Sequence, residues 1–176
     1  AKGMGPFPDG VYRTAFPYFY RSPSNSFTEE ETINYCIKNL EEVFRDGAPA
    51  NSVAAIVLEP LQGEGGFIPA PIEWVKALRK ICNDNGILLI ADEIQTGFCR
   101  TGRMFATEAW RDVGAAPDIV TFAKSIAAGI PLSGVTARTE IFDAVPGGVA
   151  GGTFGGNALA CAAALKTIEI MGRDDL

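Results

Sequence analysis

Histidine is missing from all 176 residues, and no other feature of the sequence removes as much chemistry. Ser-His-Asp and Cys-His nucleophilic catalysis, histidine-containing zinc sites and imidazole general bases are excluded for anything this chain supplies by itself. Positive charge is also scarce: 15 Lys and Arg stand against 21 Asp and Glu, a formal charge of −6. The basic residues are scattered, so the chain has no footprint for nucleic acid or for an anionic membrane surface. No stretch approaches the ~20 apolar residues of a membrane span. The first residues, Ala1-Lys2-Gly3-Met4-Gly5-Pro6, carry no apolar signal core, and the reading is of a cytoplasmic protein. Cysteine is sparse. Cys36, Cys82, Cys99 and Cys161 are far apart and form no C-x-x-C pair, so four reduced thiols are expected.

Apolar residues make up 47% of the chain, enough to bury a core. Residues 1–27 are rich in Pro, Gly and aromatics (Phe7, Tyr12, Phe16, Tyr18, Phe19, Tyr20), a composition suited to an extended segment lying on a larger surface. From residue 28 to 176 helix and strand patterns alternate. Thr28-Glu29-Glu30-Glu31 is a capping box, followed at helical spacing by Ile33, Ile37, Leu40 and Phe44, with an end near Asp46-Gly47. Val53 to Leu58 reads as a strand buried on both faces, with a Gly-rich loop at 63–66 after it. A second helix starts by Pro71, carries Trp74, Leu78, Ile81 and Cys82 inward, and stops at Asn85-Gly86. Ile87 to Ala91 and Ile119 to Ala123 are further apolar strands, Ile130 to Ala137 a fourth, and Ala158 to Met171 a closing helix capped by Asn157. The pattern predicts an α/β fold: a mostly parallel sheet with flanking helices.

Each of the first three strands delivers an ionisable residue at its carboxyl end: Glu59, Asp92 and Lys124. Their spacings, 92 − 59 = 33 and 124 − 92 = 32, each match the ~30 residues of one strand-helix-strand unit. Parallel strands joined in this way end on one edge of the sheet, where open α/β folds hold their ligands. A lysine leaving an apolar strand is desolvated, which frees its amine to act as a nucleophile or Schiff-base partner. A buried carboxylate nearby needs a cation, and in a pyridoxal-phosphate enzyme the protonated pyridine nitrogen supplies it. Two other readings share the spacing. One is a structural ion pair between Asp92 and Lys124; the other is a metal site with Glu59 and Asp92 as oxygen ligands and Lys124 as base.

Four segments resemble the class III aminotransferases: Leu58-Glu59-Pro60-Leu61-Gln62-Gly63-Glu64-Gly65-Gly66; residues 91–102, which contain Asp92-Glu93-Ile94-Gln95-Thr96-Gly97; the surroundings of Lys124; and Gly151-Gly152-Thr153-Phe154-Gly155-Gly156-Asn157. Together they cover most of residues 50–165 in the family's order. The resemblance implies the large domain of a fold type I pyridoxal-phosphate transferase, with 28–176 as part of it. It implies that Lys124 is the Schiff-base lysine and proton carrier, that Asp92 pairs with the pyridine nitrogen, that Ile94 packs on a ring face and that Gln95 donates to the phenolic oxygen. Thr153 would bind the cofactor phosphate of a neighbouring subunit, which implies a homodimer with shared sites.

Glu59 and Glu64 resemble the carboxylates on the substrate side. Glu64 would pair with an arginine that this chain does not carry, switching the site between an amino donor and a 2-oxo acid. The wording around Gly63 to Ile68 is most similar to enzymes that move the amino group of 4-aminobutyrate to 2-oxoglutarate, with ornithine and other ω-amino acid enzymes sharing the core. By the same resemblance the phosphate-binding Gly-Ser turn precedes Ala1 and the small C-terminal domain follows Leu176. The 176 residues alone would then bind cofactor weakly and not transaminate. Cys99 stands where the family has a small residue and is assigned no role, and Phe98 and Phe154 are expected in the core.

Overall fold

The computed structural model describes residues 3, 5, 6, 8–147 and 151–173. Helix α1, Glu29–Asp46, begins on the capping box: Thr28 Oγ1 accepts from the Glu31 amide at 3.2 Å and Glu31 Oε2 accepts from the Thr28 amide at 2.7 Å. Those bonds hold the Glu31 carboxyl below its ordinary range, the Thr28 backbone donor contributing most. Thr32, Cys36 and Leu40 form the buried stripe of α1, with Ile33, Ile37 and Phe44 packed beside it. Helix α2, Ile72–Asn85, buries Trp74, Val75, Leu78 and Cys82 and ends at Gly86 in the left-handed conformation, φ 69°.

Between these helices run β1, Ala55–Leu58, and a two-residue hairpin of β2, Leu61–Gln62, and β3, Ile68–Pro69. After α2 come β4, Leu88–Asp92, the short α3, Glu108–Arg111, and β5, Ile119–Phe122. The chain continues through β6, Gly134–Ala137, the short α4, Thr139–Asp143, and α5, Ala158–Met171, whose first turn is capped by Asn157 Oδ1 on the Ala160 amide at 3.0 Å. The main sheet has the order β1-β4-β5-β6, with the first three strands parallel and β6 antiparallel to β5. The solid core lies between α1, α2 and this sheet, centred on Val75, Leu78, Cys82, Leu89 and Ala91. Phe16 meets Trp74 edge-on with centroids 4.8 Å apart and Pro17 is buried, which ties residues 15–17 to that core.

Three strand readings are corrected. β1 starts at Ala55, because Ala50–Ser52 forms a 3-10 turn before it. It is not buried on both faces, since β1 is an edge of the sheet and Val57 is 62% exposed. The fourth strand starts at Gly134 rather than Ile130; Ile130 and Leu132 pack instead into a second apolar cluster with Phe98, Ile126 and Ala127. Asp118 locks the sheet to its surroundings. Its Oδ2 accepts from Arg79 of α2 and from the Leu89 amide, both at 2.8 Å, and its Oδ1 pairs with Arg138 at 3.1 Å. Among the described residues no helix is long and apolar enough to cross a membrane.

Candidate active site

The register aligns Leu58 with Ala91 and Asp92 with Thr121, so β1, β4 and β5 end on the same edge. Glu59, Asp92 and Lys124 therefore leave the sheet together, as the crossover spacing requires. Asp92 is the last residue of β4. Its Oδ1 accepts from the Ile94 amide at 3.0 Å and from Thr121 Oγ1 at 3.4 Å, while Oδ2 accepts no hydrogen bond among the described residues.

Lys124 opens a 3-10 turn, Lys124–Ala127, anchored by buried Ile126 and Ala127. Its φ of 48° lies in the left-handed region, a strain of about 1–3 kcal/mol that surrounding contacts must hold. The side chain is exposed, so the desolvation expected from the apolar strand is not there: the chain turns outward at Ala123 before the amine is reached. Lys124 Nζ donates to Gln95 Oε1, and the ion pair with Asp92 is not formed. Glu59 Oε2 accepts from the Gly63 amide at 2.8 Å, which closes the 63–66 turn against the site. A Cβ on Gly63 would stand 3.2 Å from Gln95 Cγ, so that turn lies directly on Gln95.

The structure thus gathers Lys124, Gln95, the Glu59–Gly63 contact and the Asp92–Ile94 turn. Glu64 is exposed on the 63–66 turn and Thr153 on the turn before α5; among the described residues no hydrogen bond ties either to this group. Phe98 is buried, with Phe105 and Phe122 edge-on at 5.3 and 5.6 Å. Phe154, expected in the core, is 85% exposed because its turn projects ahead of α5. Beside Lys124 a cleft of about 510 Å³ is lined by Phe98, Arg100, Ser125, Thr167 and Met171; Asp92 and Glu59 lie outside it. No three His, Cys, Asp or Glu side chains among the described residues could hold a metal ion.

Sequence reasoning passed over Glu93. It is fully buried, and its carboxylate accepts from Thr96 Oγ1 at 2.5 Å, the Ala106 amide at 3.0 Å and the Thr107 amide at 2.8 Å. The available signal was a second acidic residue directly after Asp92, which strand alternation sends to the other face.

A converging amine, amide and half-committed carboxylate on one sheet edge can be compared with known proteins. The family profile described as Aminotransferase class-III matches residues 1–176. The chain belongs to the class III aminotransferases. The 5-aminovalerate aminotransferase DavT of Pseudomonas putida is 48% identical over 174 residues, covering 99% of this chain and 38% of that protein. The 4-aminobutyrate aminotransferase GabT of Escherichia coli is 44% identical over 174 residues, with the same coverage of 99% and 38%. An amine transaminase from an uncultivated Pseudomonas species, solved with pyridoxal phosphate bound, matches with a TM-score of 0.87 at 36% identity, over 98% of this chain and 40% of that one. This class III chain therefore spans about two fifths of the length of such relatives, and its mostly parallel sheet with flanking helices is that of a fold type I domain.

Class III aminotransferases use pyridoxal 5′-phosphate. The residues present fit that group. Lys124 offers an exposed amine, Asp92 an oxygen with no donor among the described residues that suits a ring cation, and Gln95 an amide in contact with the amine.

Proposed function

We propose that this chain supplies the cofactor-holding part of an ω-amino acid transaminase, which moves an amino group from 4-aminobutyrate or 5-aminovalerate to 2-oxoglutarate. The observation that carries the reading is the Lys124 amine just past the end of β5, hydrogen-bonded to Gln95, on the sheet edge where Asp92 ends β4 with Oδ2 free of any hydrogen-bond donor among the described residues. When bound, pyridoxal phosphate joins a lysine amine as a Schiff base and withdraws electrons from the bond being broken at the substrate carbon.

Lys124 would be the attachment point, and its amine, once released, would move the proton from the donor carbon to the cofactor carbon. Asp92 would hold the ring nitrogen protonated by its charge, with the Ile94 and Thr121 donors on Oδ1 fixing the carboxylate's plane. Ile94 would pack on the ring, and the Gln95 amide group would donate to the phenolic oxygen. Glu59 shapes the 63–66 turn on the substrate side, and Glu64 on that turn pairs with a cation when the amino donor carries no carboxylate next to its amine. Thr153 reaches the phosphate held by a second copy, in a homodimer with shared sites. The relatives' substrates support the donor class: both are primary amines whose carboxylate lies several carbons away.

The test is capture of the cofactor. The purified protein is mixed with pyridoxal phosphate, reduced with borohydride and mapped by peptide mass. The adduct is expected at Lys124 and absent in Lys124→Ala. Even labelling over all the lysines would sink the assignment.

A further inference from the structure

We propose that Glu93 is a positioning residue for Lys124, acting through the loop that carries Gln95. The proposal rests on the transaminase reading of Lys124 and adds a residue to it.

A carboxylate with no exposure to water persists only where donors converge on it. Three do so here, and they come from both ends of one irregular loop. Thr96 lies three residues on, and the Ala106 and Thr107 amides lie 13 and 14 residues on. The Glu93 side chain therefore closes the whole 93–107 segment into a ring. Its backbone is committed as well: the amide donates to Thr121 of β5 at 2.9 Å, and the carbonyl accepts from Gly97 at 2.9 Å. That last bond makes a one-turn loop of residues 93–97 with Gln95 at its centre. A Cβ on Gly97 would approach the Glu93 carbonyl to 2.9 Å, so the turn has no slack.

Gln95 in turn decides where the amine sits. The Lys124 side chain is exposed and long, and Gln95 is its one hydrogen-bond partner among the described residues. Without that contact no other hydrogen bond among the described residues would select one rotamer from the several open to an exposed lysine. The Glu59–Gly63 turn covers Gln95 from the other side, so Gln95 is held by its loop below and by Gly63 above.

The experiment uses the full-length protein, free of cofactor, and follows the rate at which pyridoxal phosphate becomes reducible onto Lys124. Glu93→Gln keeps the volume and replaces one acceptor oxygen by a donor that faces a backbone amide. Misplacement of a reacting group by about 1 Å costs on the order of a hundred-fold, so a slowing of roughly ten- to hundred-fold is expected. Gln95→Ala should slow capture to a similar degree, and the double variant should be no slower than Gln95→Ala alone, because both act through one contact. Thr96→Val, which removes one donor and keeps the shape, should slow capture in the same direction and supplies the reading if Glu93→Gln does not fold. Normal capture by a Glu93→Gln protein of lowered melting temperature, or losses that multiply in the double variant, would overturn the proposal. Unselective labelling in the wild type would instead remove the transaminase reading beneath it.

Discussion

A methyl group added at Gly63 would sit 3.2 Å from Gln95 Cγ and 3.7 Å from Glu59 Oε2, closer to Gln95 than side chains ordinarily pack. Gly63→Ala should therefore shift Gln95 by a few tenths of an ångström while costing about 1–3 kcal/mol of stability. The expected result is cofactor capture at Lys124 slowed several-fold in protein that is still folded at the assay temperature, read by borohydride trapping and by thermal unfolding. Unchanged capture would show that Gln95 is not confined by the turn. At this scale the sequence was informative about where Lys124, Asp92 and Glu59 stand, on one edge of the sheet, because the ends of parallel strands are placed by spacing alone. It said nothing of Glu93, whose partners at Ala106 and Thr107 are backbone amides that no residue type announces. It also misled on Lys124, since the outward turn at Ala123 depends on an unusual backbone, φ −161° and ψ −146° followed by φ 48°.

Between elements, Asp118 does what no single strand pairing can. It binds Arg79 of α2 with 12% of the arginine side chain exposed, the β4 amide of Leu89, and the exposed Arg138 before α4. Removing one partner of a buried pair costs about 3–5 kcal/mol because the other charge is left uncompensated. Asp118→Ala should lose stability of that order, most of it through Arg79, whereas Asp84→Ala, which breaks the exposed Lys80–Asp84 pair, should cost less than about 1 kcal/mol. Urea unfolding of both variants measures the contrast, and equal losses would refute it. The helices were legible because their ends are written locally: Thr28 with Glu31, and Gly86 in its left-handed turn. Edge position in β1 and the reversed direction of β6 were not, since each is decided by a neighbour far away in the chain.

For the molecule as a whole, the thiols report how much of the chain is sealed. All four cysteines are free; Cys36 and Cys82 are buried, Cys161 is partly covered and Cys99 is exposed. Burial pushes the Cys36 and Cys82 thiols up to about 11 from an ordinary 9.0, with Arg79 pulling the Cys82 thiol down and Asp118 pushing it up. A thiol reagent near neutral pH should modify Cys99 at once and reach Cys36 and Cys82 only on unfolding; prompt reaction of Cys82 in the native protein would contradict the packing of α2. The linked pH dependence has one sign. A raised folded value favours the neutral thiol, so the contribution is complete below pH 9.0 and is lost as pH rises through about 11. Denaturation midpoints should hold to about pH 9 and fall above it on account of these two groups.

The reversed strand β6 has a further meaning for how such a site changes over time. Because Gly134 pairs with Phe122, the chain between them departs from and rejoins the sheet at the same rim, the one that carries Lys124. The connections on either side of β4 must travel the full height of the sheet, so their lengths are bound to its dimensions. The 128–133 connection has no such height to span, and only Ile130 and Leu132 within it are tied into the cluster that anchors the lysine's turn. Residues can be gained or lost at its exposed positions without re-registering a single strand, which makes it the cheapest place on this rim for descendants to remodel what lies next to the lysine so long as those two anchors are kept.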